Sequence, residues 1–295
     1  MRYLIINADD FGIGPAVSDG ILHLAERGVV TGTLLLANSP HAEDAVQQWR
    51  QRHAALEVGW HAALTLDGPV LPPAQVPTLV NPDGRFWGLG TFVKRLWSGR
   101  LARREIRAEL QAQYERCCAL LGRPPAIVTT HHHVQIFAPV GALLRDVIAG
   151  QRPRPYLRVI REPWPLLWRV RGARLKRLLI NGLGRRDGFR LSGASGFHNE
   201  WLVGIGDPVC VQDPDFMVRW IRRVPGQVVE LTCHPGHYDE TPIGRDCTVE
   251  DGMIERRVQE LHLLGEPRFA DACRTAGFSI VSAAELHKFV NGSAN

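Results

Sequence analysis

The sequence predicts an α/β fold in which a parallel sheet curls into a distorted or incomplete (β/α) barrel. In the first third of the chain, short apolar runs alternate with amphipathic segments of helical spacing. Several apolar runs end in ionisable residues, and the chain contains neither an internal repeat nor a low-complexity linker. Alternation over this length is typical of parallel strands joined by right-handed crossovers. We therefore expect a single domain over residues 1–295, with a doubly wound open sheet as the alternative.

The first three strands are predicted from runs that are separated by clear helix signals. "YLIINA" predicts the first strand, and "GPAVSDGILHLAERG" predicts a helix that ends at Gly28. "TGTLLLAN" predicts the second strand, and the following helix opens with Ser-Pro in "SPHAEDAVQQWRQRH". "LEVGWHAALT" predicts the third strand. This order gives two consecutive strand–helix–strand units.

The remaining elements follow a long proline-rich loop, "DGPVLPPAQVPTLVNPDGRF". "LARREIRAELQAQYERCCALLG" predicts an amphipathic helix with Ile106, Leu110, Tyr114 and Cys117 on one face. "PAIVTTHHHVQ", "YLRVIRE" and "QVVELTCHPG" predict further strands, and "GFSIVSAAELHKF" predicts a last strand and helix. Strands therefore recur along the whole chain.

Composition indicates an ordinary globular protein. The 295 residues are 45% hydrophobic and 22% charged, and the net charge of +5 weakly favours an anionic or membrane-surface partner. None of the six cysteines forms a C-x-x-C pair, which favours free thiols in a reducing compartment. The N-terminus lacks the features of a signal peptide, and no apolar run approaches the ~20 residues of a spanning helix. We expect a cytoplasmic protein, with peripheral contact to the inner membrane face left open.

Ionisable residues lie at the carboxyl ends of four predicted strands. They are Asp9-Asp10, His61, the run His131–His133, and His234. The carboxyl ends of barrel strands converge on one face, where active sites are built. One carboxylate and two imidazoles from three strands form a common ligand set for a divalent metal with open positions for water or substrate. The sequence therefore predicts a metal-dependent hydrolytic site.

Each of these residues also has a purely structural interpretation. The aspartate pair could cap the helix that begins near Pro15, and His61 could be a hydrogen-bonded core histidine. His234 precedes a Pro-Gly turn, where a structural role is as well supported as a catalytic one. Because a strand alternates faces, we expect His131 and His133 to line the site and His132 to point away. The repeated placement at strand ends favours the functional interpretation.

The sequence resembles the YdjC-like carbohydrate deacetylases. The resemblance is carried in order by "NADDFG", "VTGTLLLAN", "VGWH", "HHHV", "LRVIRE", "CHPG" and "FSIVSAAEL", which span most of the chain. The proline-rich loop is most similar to that of the branch associated with hopanoid lipid biosynthesis. The resemblance implies a distorted (β/α) barrel that removes acetyl groups from N-acetylated amino sugars.

The resemblance also implies a role for each candidate residue. Asp10, His61 and His131 would hold the metal, for which zinc suits the ligand set best and magnesium, manganese, cobalt and nickel are alternatives. Asp9 would be the general base, His234 the acid that protonates the leaving amine, and His133 a substrate contact. We expect Arg158 or Arg161 to stabilise the oxyanion or to keep Asp9 charged, with an ordinary salt bridge as the alternative.

Two positions depart from the family pattern. Relatives usually carry an aspartate two residues before the histidine run and a histidine two residues after it, where this chain has Thr129 and Gln135. Thr129 lacks the charge with which a carboxylate would support a ligating imidazole. We therefore expect an altered metal affinity or identity, and a weakened or inactive enzyme stays open.

A basic, tryptophan-bearing insertion is predicted at about residues 162–190. Trp164 and Trp168 precede a segment in which arginines and leucines interleave, "RVRGARLKRLLINGLGRR". This composition suits a helix that lies on a membrane surface, and the alternative is a plain amphipathic helix covering the barrel. No nucleic-acid-binding motif accompanies the charge, so we expect no nucleic-acid partner.

These observations combine into one functional expectation with two competitors. We expect a metal-dependent N-deacetylase acting on an N-acetylated amino sugar, with a glycosylated hopanoid lipid as the substrate and a homodimer as the oligomeric state that the resemblance implies. A different metal-dependent amidohydrolase or esterase is the competitor among enzymes. A catalytically silent sugar-binding or regulatory protein on the same fold is the competitor from another class.

Overall fold

A computed structural model describes residues 1–52, 55–186 and 197–292. In these ranges eight strands form one sheet in which all paired strands are parallel. The strands are β1 (Arg2–Phe11), β2 (Gly32–Leu35), β3 (Glu57–Ala62), β4 (Ile127–Thr130), β5 (Tyr156–Leu157), β6 (Trp201–Val203), β7 (Val228–Cys233) and β8 (Phe278–Ile280). Their order is β5-β4-β3-β2-β1-β7-β6, and β8 pairs with the beginning of β1.

Helices lie between the strands and cover the sheet. They are α1 (Pro15–Glu26), α2 (Ala42–Arg52), α3 (Leu89–Trp97), α4 (Arg103–Leu121), α5 (Ala138–Ile148), α6 (Trp164–Arg169), α7 (Arg174–Arg186), α8 (Phe216–Arg223), α9 (Met253–Gly265), α10 (Pro267–Thr275) and α11 (Ala283–Gly292). The apolar face predicted for α4 is buried at Ile106, Leu110 and Cys117. None of the helices in the described ranges is both long enough and apolar enough to cross a bilayer.

The two ends of the sheet meet, so the sheet curls into an irregular barrel. A parallel bridge joins Leu157 to His198, and the Leu202 N–H donates to the Arg161 carbonyl at 2.8 Å. The side chain of Asn199 accepts from Val159 N–H and donates to Val159 O, both at 2.8 Å, where a regular strand would supply backbone partners. The predicted α/β fold with a distorted barrel is confirmed, and the doubly wound open sheet is wrong.

Alternate residues of β1 point into the barrel and form layers with residues of other strands. Ile5 packs with Leu34 and Ile127 in an apolar layer at the amino end of the strands. Asn7 lies in a polar layer above it, next to Glu230. The residues between them, among them Leu4 and Ile6, belong to the larger core under the helices. This alternation places Asp9 at the carboxyl end of the barrel.

Most strands fall within the predicted runs, with three differences. β1 begins at Arg2 and continues beyond "YLIINA" through both aspartates to Phe11. β6 is not predicted by the sequence, and β5 covers only Tyr156–Leu157 of the run "YLRVIRE". At both places hydrogen bonds that involve the Asn199 side chain and loop backbone replace part of the regular ladder. A pattern of apolar alternation does not report such pairing.

Two helices occupy the predicted basic insertion, whose residues 187–190 lie outside the described ranges. Arg177 of α7 is buried and pairs with Glu162. The same guanidinium donates to the Leu166 and Val170 carbonyls at the end of α6, at 2.9 and 2.7 Å, and stacks on Trp220 at 4.4 Å. One basic residue of the insertion therefore fixes α6 and α7 to each other and to the barrel.

Candidate metal centre and active site

β1 continues through both aspartates and delivers them side by side to the barrel end. Asp10 has a left-handed backbone with φ 67°, and the pairing of β1 with β2 shifts register between Ala8 and Phe11. A bulge of this kind re-aims side chains that would otherwise alternate between faces. Asp9 and Asp10 therefore both line the same cavity and are both about 1% exposed.

Asp10, His61 and His131 bring three metal-ligand atoms together, as predicted for the ligand set. Asp10 Oδ1 lies 3.1 Å from His131 Nδ1 and 3.4 Å from His61 Nε2. The three ligand atoms all lie within 4.8 Å of one another, and the three residues are buried. A second group of the same kind is formed by His131, His132 and Asp246.

The outer nitrogens of the two imidazoles are held by oxygen atoms. His61 Nδ1 lies 2.5 Å from the Thr129 hydroxyl, and His131 Nε2 lies 3.0 Å from Asp246 Oδ1. Such contacts orient ligating histidines and fix which nitrogen faces the metal. Arg257 bonds to both Asp10 and Asp246, at 2.8 and 3.3 Å. Donor types and their supports thus fit a divalent cation, and the support of His61 is the hydroxyl of Thr129.

The charge state of His131 follows from its two carboxylate neighbours. Burial alone would lower the pKa of His131, but Asp10 and Asp246 outweigh burial and raise it to about 10. Burial and the charge of Arg158 hold the pKa of His133 well below its ordinary value. His131 therefore has to lose a proton when a metal binds there.

Asp9 is hydrogen-bonded to a buried arginine. Arg158 donates two hydrogen bonds to the carboxylate, at 2.6 and 2.7 Å, and Thr232 donates a third at 3.1 Å. Arg158 is itself held by Glu230 at 2.7 Å. Burial would raise the pKa of Asp9, but the charges of Arg158 and His61 lower it well below its ordinary range. Asp9 is therefore ionised at neutral pH.

His234 lies on the same cavity, beside a charged pair of α9. Its backbone N–H donates to Glu260 at 2.5 Å, and its Nδ1 lies 3.3 Å from Arg256 Nη2. Arg256 donates to Glu260 at 2.7 Å. Burial, followed by the charge of Arg256, lowers the pKa of His234 to about 4. His234 is therefore neutral at pH 7 unless a reaction delivers a proton to it.

The histidine run does not continue β4, and the expected alternation of its side chains is wrong. β4 ends at Thr130, and residues 131–136 form a 3-10 segment in which His132 and His133 have φ of 53° and 55°. His132 consequently also lines the cavity, where its ring lies against that of His131 with 4.0 Å between ring centroids and an angle of 46° between the ring planes. His133 lines the cavity as expected, and its Nδ1 is buried without a hydrogen-bond partner among the described residues.

Two other sequence expectations are resolved by position. Arg161 does not reach the cavity: its guanidinium donates to the Glu200 carbonyl at 3.0 and 3.1 Å and stacks on Trp201 at 4.7 Å. Its place in the irregular seam between β5 and β6 explains the structural role. Gln135 accepts a hydrogen bond from Thr130 Oγ1 and does not line the cavity.

The cavity above these residues has a volume of about 660 Å³, a polar floor and an apolar upper wall. Its floor is polar and holds the aspartates, histidines, Thr232, Asp246 and Arg256. Its upper wall is apolar and is formed by Leu89, Val93, Ile136, Phe137, Leu175, Leu179, Ile180, Leu183, Ile205 and Met253. The pocket can therefore hold a polar group at the metal donors beneath an apolar one.

Several residues that hold the site together cannot be recognised from the sequence alone. Glu230 is the exception, since a carboxylate inside the apolar run "VVELTC" already indicates a buried partner. Asp246 lies in a loop, and Arg256 and Arg257 have the ordinary appearance of helix residues. Their partners are distant in sequence, so only the fold brings them to the site.

Comparisons with known proteins agree with this fold. The family model described as YdjC-like protein matches residues 3–275. A carbohydrate deacetylase of Geobacillus stearothermophilus is 31% identical, with 97% of this chain and 99% of that protein covered. A chitooligosaccharide deacetylase of Serratia marcescens is 29% identical, with the same coverage.

A solved structure shows the same architecture. It is that of a putative cellobiose-phosphate cleavage protein from Enterococcus faecalis V583, with a TM-score of 0.74 and 24% identity. The similarity covers 97% of this chain and 98% of that chain, and it supports the barrel fold. Together with the match of the family model over most of the chain, these comparisons establish that the protein belongs to the YdjC-like family.

Proposed function

We propose that the protein is a metal-dependent hydrolase that removes the acetyl group from an N-acetylated amino sugar. The observation that carries the proposal is the pairing of a three-donor metal set, Asp10, His61 and His131, with an ionised carboxylate, Asp9, on one cavity floor. The relatives that cover nearly the whole chain are named as deacetylases of carbohydrate or chitooligosaccharide.

The donor set supports a divalent metal as the cofactor. Two imidazoles and one carboxylate suit zinc best, with magnesium as the main alternative. A divalent cation held there supplies Lewis acidity to the acetamide carbonyl and acidifies a water molecule. The support of His61 by Thr129 and of His131 by Asp246 keeps both donor nitrogens directed at Asp10.

Asp9 accepts a proton from the attacking water in this proposal. Its two hydrogen bonds from Arg158 and one from Thr232 fix the carboxylate and keep it ionised. Arg158 therefore acts through Asp9. His133, which lines the same cavity, is the proposed contact to the sugar.

His234 protonates the nitrogen of the leaving amine. The C–N bond of the tetrahedral species then breaks, and acetate and a free amino sugar are released. An amine is a poor leaving group until it is protonated, so a proton donor is needed at the cavity wall. Because His234 is neutral at rest, the proton that Asp9 takes from the attacking water has to pass to His234 before His234 gives it to the amine nitrogen. This transfer returns Asp9 to its ionised form and His234 to its neutral form.

The finer part of the proposal concerns the substrate. The apolar upper wall of the cavity favours an aglycone that is itself apolar, and a glycosylated hopanoid lipid meets this requirement.

The six cysteines are free thiols, which supports a reducing cytoplasmic location.

The test is acetate release from a panel of acetylated sugars. We expect release from N-acetylglucosaminyl oligosaccharides and faster release from the same sugar on an apolar aglycone. Release only from O-acetylated sugars would identify an esterase. Sugar binding without acetate release, with metal present, would identify a silent binding protein and overturn the proposal.

A further inference from the structure

Two segments at the cavity mouth expose large apolar side chains. The first is residues 84–104, which contains α3, and the second is residues 163–186, which contains α6 and α7; together we call them the docking face. Trp97 is 72% exposed, Trp168 69%, Leu175 71% and Leu179 57%. Large apolar side chains exposed in clusters mark interaction surfaces.

The docking face is continuous with the apolar wall of the cavity. α3 contributes Leu89 and Val93 to that wall, and α7 contributes Leu175, Leu179 and Leu183. The exposed Trp97 ring contacts Phe137, another residue of the wall, with 6.1 Å between ring centres. The apolar side chains of the docking face therefore continue into the apolar wall of the cavity, whose lining also includes Lys176 of the same helix.

Both segments are cationic throughout. Neither contains an aspartate or a glutamate. The basic residues of the first are Arg85, Lys94, Arg95, Arg100, Arg103 and Arg104, and those of the second, apart from the buried Arg177 that pairs with Glu162, are Arg169, Arg171, Arg174, Lys176, Arg185 and Arg186. The whole chain has a net charge of only +5, so the rest of the molecule is net negative. The positive charge is thus concentrated around the cavity mouth.

The exposed leucines cannot be explained by a helix that simply covers the barrel. Such a helix buries its whole apolar stripe, whereas α7 buries Arg177 against Glu162 and Trp220 and packs Ile180 and Leu183 against the cluster of Ile136, Ile160, Leu202 and Ile205. This anchor leaves Leu175, Leu178 and Leu179 exposed. α7 therefore presents apolar side chains and basic residues to the same exterior.

We propose that the docking face binds the surface of an anionic phospholipid bilayer, with the cavity mouth turned towards the lipid. Tryptophan and leucine side chains enter the boundary between headgroups and acyl chains, and the surrounding arginines and lysines pair with anionic headgroups. The docking itself is independent of the proposed function. Its consequence, that the acetylated sugar of a lipid is reached from the bilayer, rests on that function.

Charge argues against a second copy of the chain as the occupant. A symmetric dimer through this face would place two acid-free cationic segments against each other, and like charges opposed at an interface are costly. An anionic bilayer supplies the opposite charge and an apolar interior to the same surface. An anionic bilayer therefore matches both the positive charge and the exposed apolar side chains of the docking face.

The test is cosedimentation of the full chain with vesicles of phosphatidylcholine alone or mixed with phosphatidylglycerol. We expect binding to the mixed vesicles at low salt, weakened as salt is added. Within the described ranges no ion pair joins Arg171 or Arg174 to a carboxylate. The double variant Arg171→Glu/Arg174→Glu therefore breaks no ion pair there. This variant should lower partitioning by roughly tenfold or more.

A matched control reverses the same number of charges on the opposite end of the barrel. Arg123 precedes β4 and Lys288 lies on α11, both exposed and away from the cavity mouth. Arg123→Glu/Lys288→Glu should bind the mixed vesicles as the unmodified protein does. Trp97→Ser/Trp168→Ser should reduce the binding that persists at higher salt.

The outcomes separate docking from catalysis. Absence of binding to the mixed vesicles, or an equal loss in the control variant, would overturn the docking proposal. A self-association that Trp97→Ser/Trp168→Ser abolishes would also overturn it, because the occupant would then be a second copy. Acetate release from a soluble N-acetylated oligosaccharide should be the same in every variant, so failure of docking and failure of the proposed function are read independently.

Discussion

The two adjacent aspartates of β1 have different surroundings, although they are one residue apart. Asp10 faces His61, His131 and Arg257, whereas Asp9 is held by Arg158 and Thr232. The left-handed backbone at Asp10 separates the two carboxylates. The sequence "NADDFG" predicts that both lie at the site, but the bulge that divides their roles is visible only in the fold.

At the same scale, Asp246 is predicted to support His131 from a distant loop. Asp246→Asn keeps the shape but removes the charge opposite His131 Nε2, which lies 3.0 Å away. We expect the affinity for a divalent metal to fall about 10- to 100-fold, as when other outer partners of ligating histidines are removed. Competition with a chelator on the metal-free protein measures this.

Glu250→Gln is the control for Asp246, since Glu250 is an exposed acid of the same loop. It should leave the metal affinity unchanged. An unchanged affinity in Asp246→Asn as well would show that this contact does not support the ligand.

Glu230 is predicted to stabilise the fold through the buried Arg158. It accepts hydrogen bonds from Arg158, Asn7 and Tyr156, at 2.7, 2.7 and 3.0 Å. Glu230→Gln leaves a buried guanidinium with one carboxylate fewer, and we expect a loss of about 3 kcal/mol in the free energy of unfolding. Denaturant unfolding measures the loss.

The surface variant Glu26→Gln breaks an exposed pair with Arg52 and should cost less than about 1 kcal/mol. Equal effects of the two substitutions would contradict the special role of the buried layer.

At the scale of elements, the sequence predicts strands wherever apolar alternation is regular and fails where side chains replace backbone partners. β3 and β7 are regular and lie within their predicted runs, whereas β1 follows its run as far as Ala8 and then continues through an irregular pairing to Phe11. β6 has only three residues, and the segment next to it pairs through the side chain of Asn199. The apolar alternation is therefore too short to predict β6. The local pattern predicts a strand through the histidine run because it carries no sign of the left-handed backbone at His132 and His133.

A close approach of α1 to the turn that follows His234 gives a prediction at this scale. A Cβ at Gly20 would lie 2.7 Å from the His237 nitrogen and 2.8 Å from the Gly236 Cα. Gly20→Ala therefore forces helix and turn apart, and we expect a loss of about 2 kcal/mol in the free energy of unfolding together with lower turnover. Thermal or denaturant unfolding and acetate release measure the two effects.

Gly182→Ala is the matched substitution, because Gly182 also lies in a helix but has nothing within 4 Å of its Cβ position. It should be neutral or stabilise by up to about 1 kcal/mol. A Gly20→Ala protein as stable as Gly182→Ala would show that the approach is less tight than the structure has it.

At the scale of the whole molecule, the carboxyl end of the barrel has three chemically different surfaces. Asp9, the candidate metal ligands, His234 and Arg256 lie on the polar floor, and an apolar wall leads outward to the cationic docking face. The polar floor is predictable from strand ends. The apolar wall is not, because its residues come from α3, α7 and loops that no local motif connects.

We propose that this floor performs metal-dependent deacetylation with Asp9 as the base. The test is the metal content and acetate release of the protein and of Asp9→Asn, each stripped with a chelator and reloaded with zinc. We expect the unmodified protein to lose acetate release on stripping and to regain it on reloading, while Asp9→Asn binds the metal and releases no acetate. Full acetate release by the stripped protein or by Asp9→Asn would contradict it.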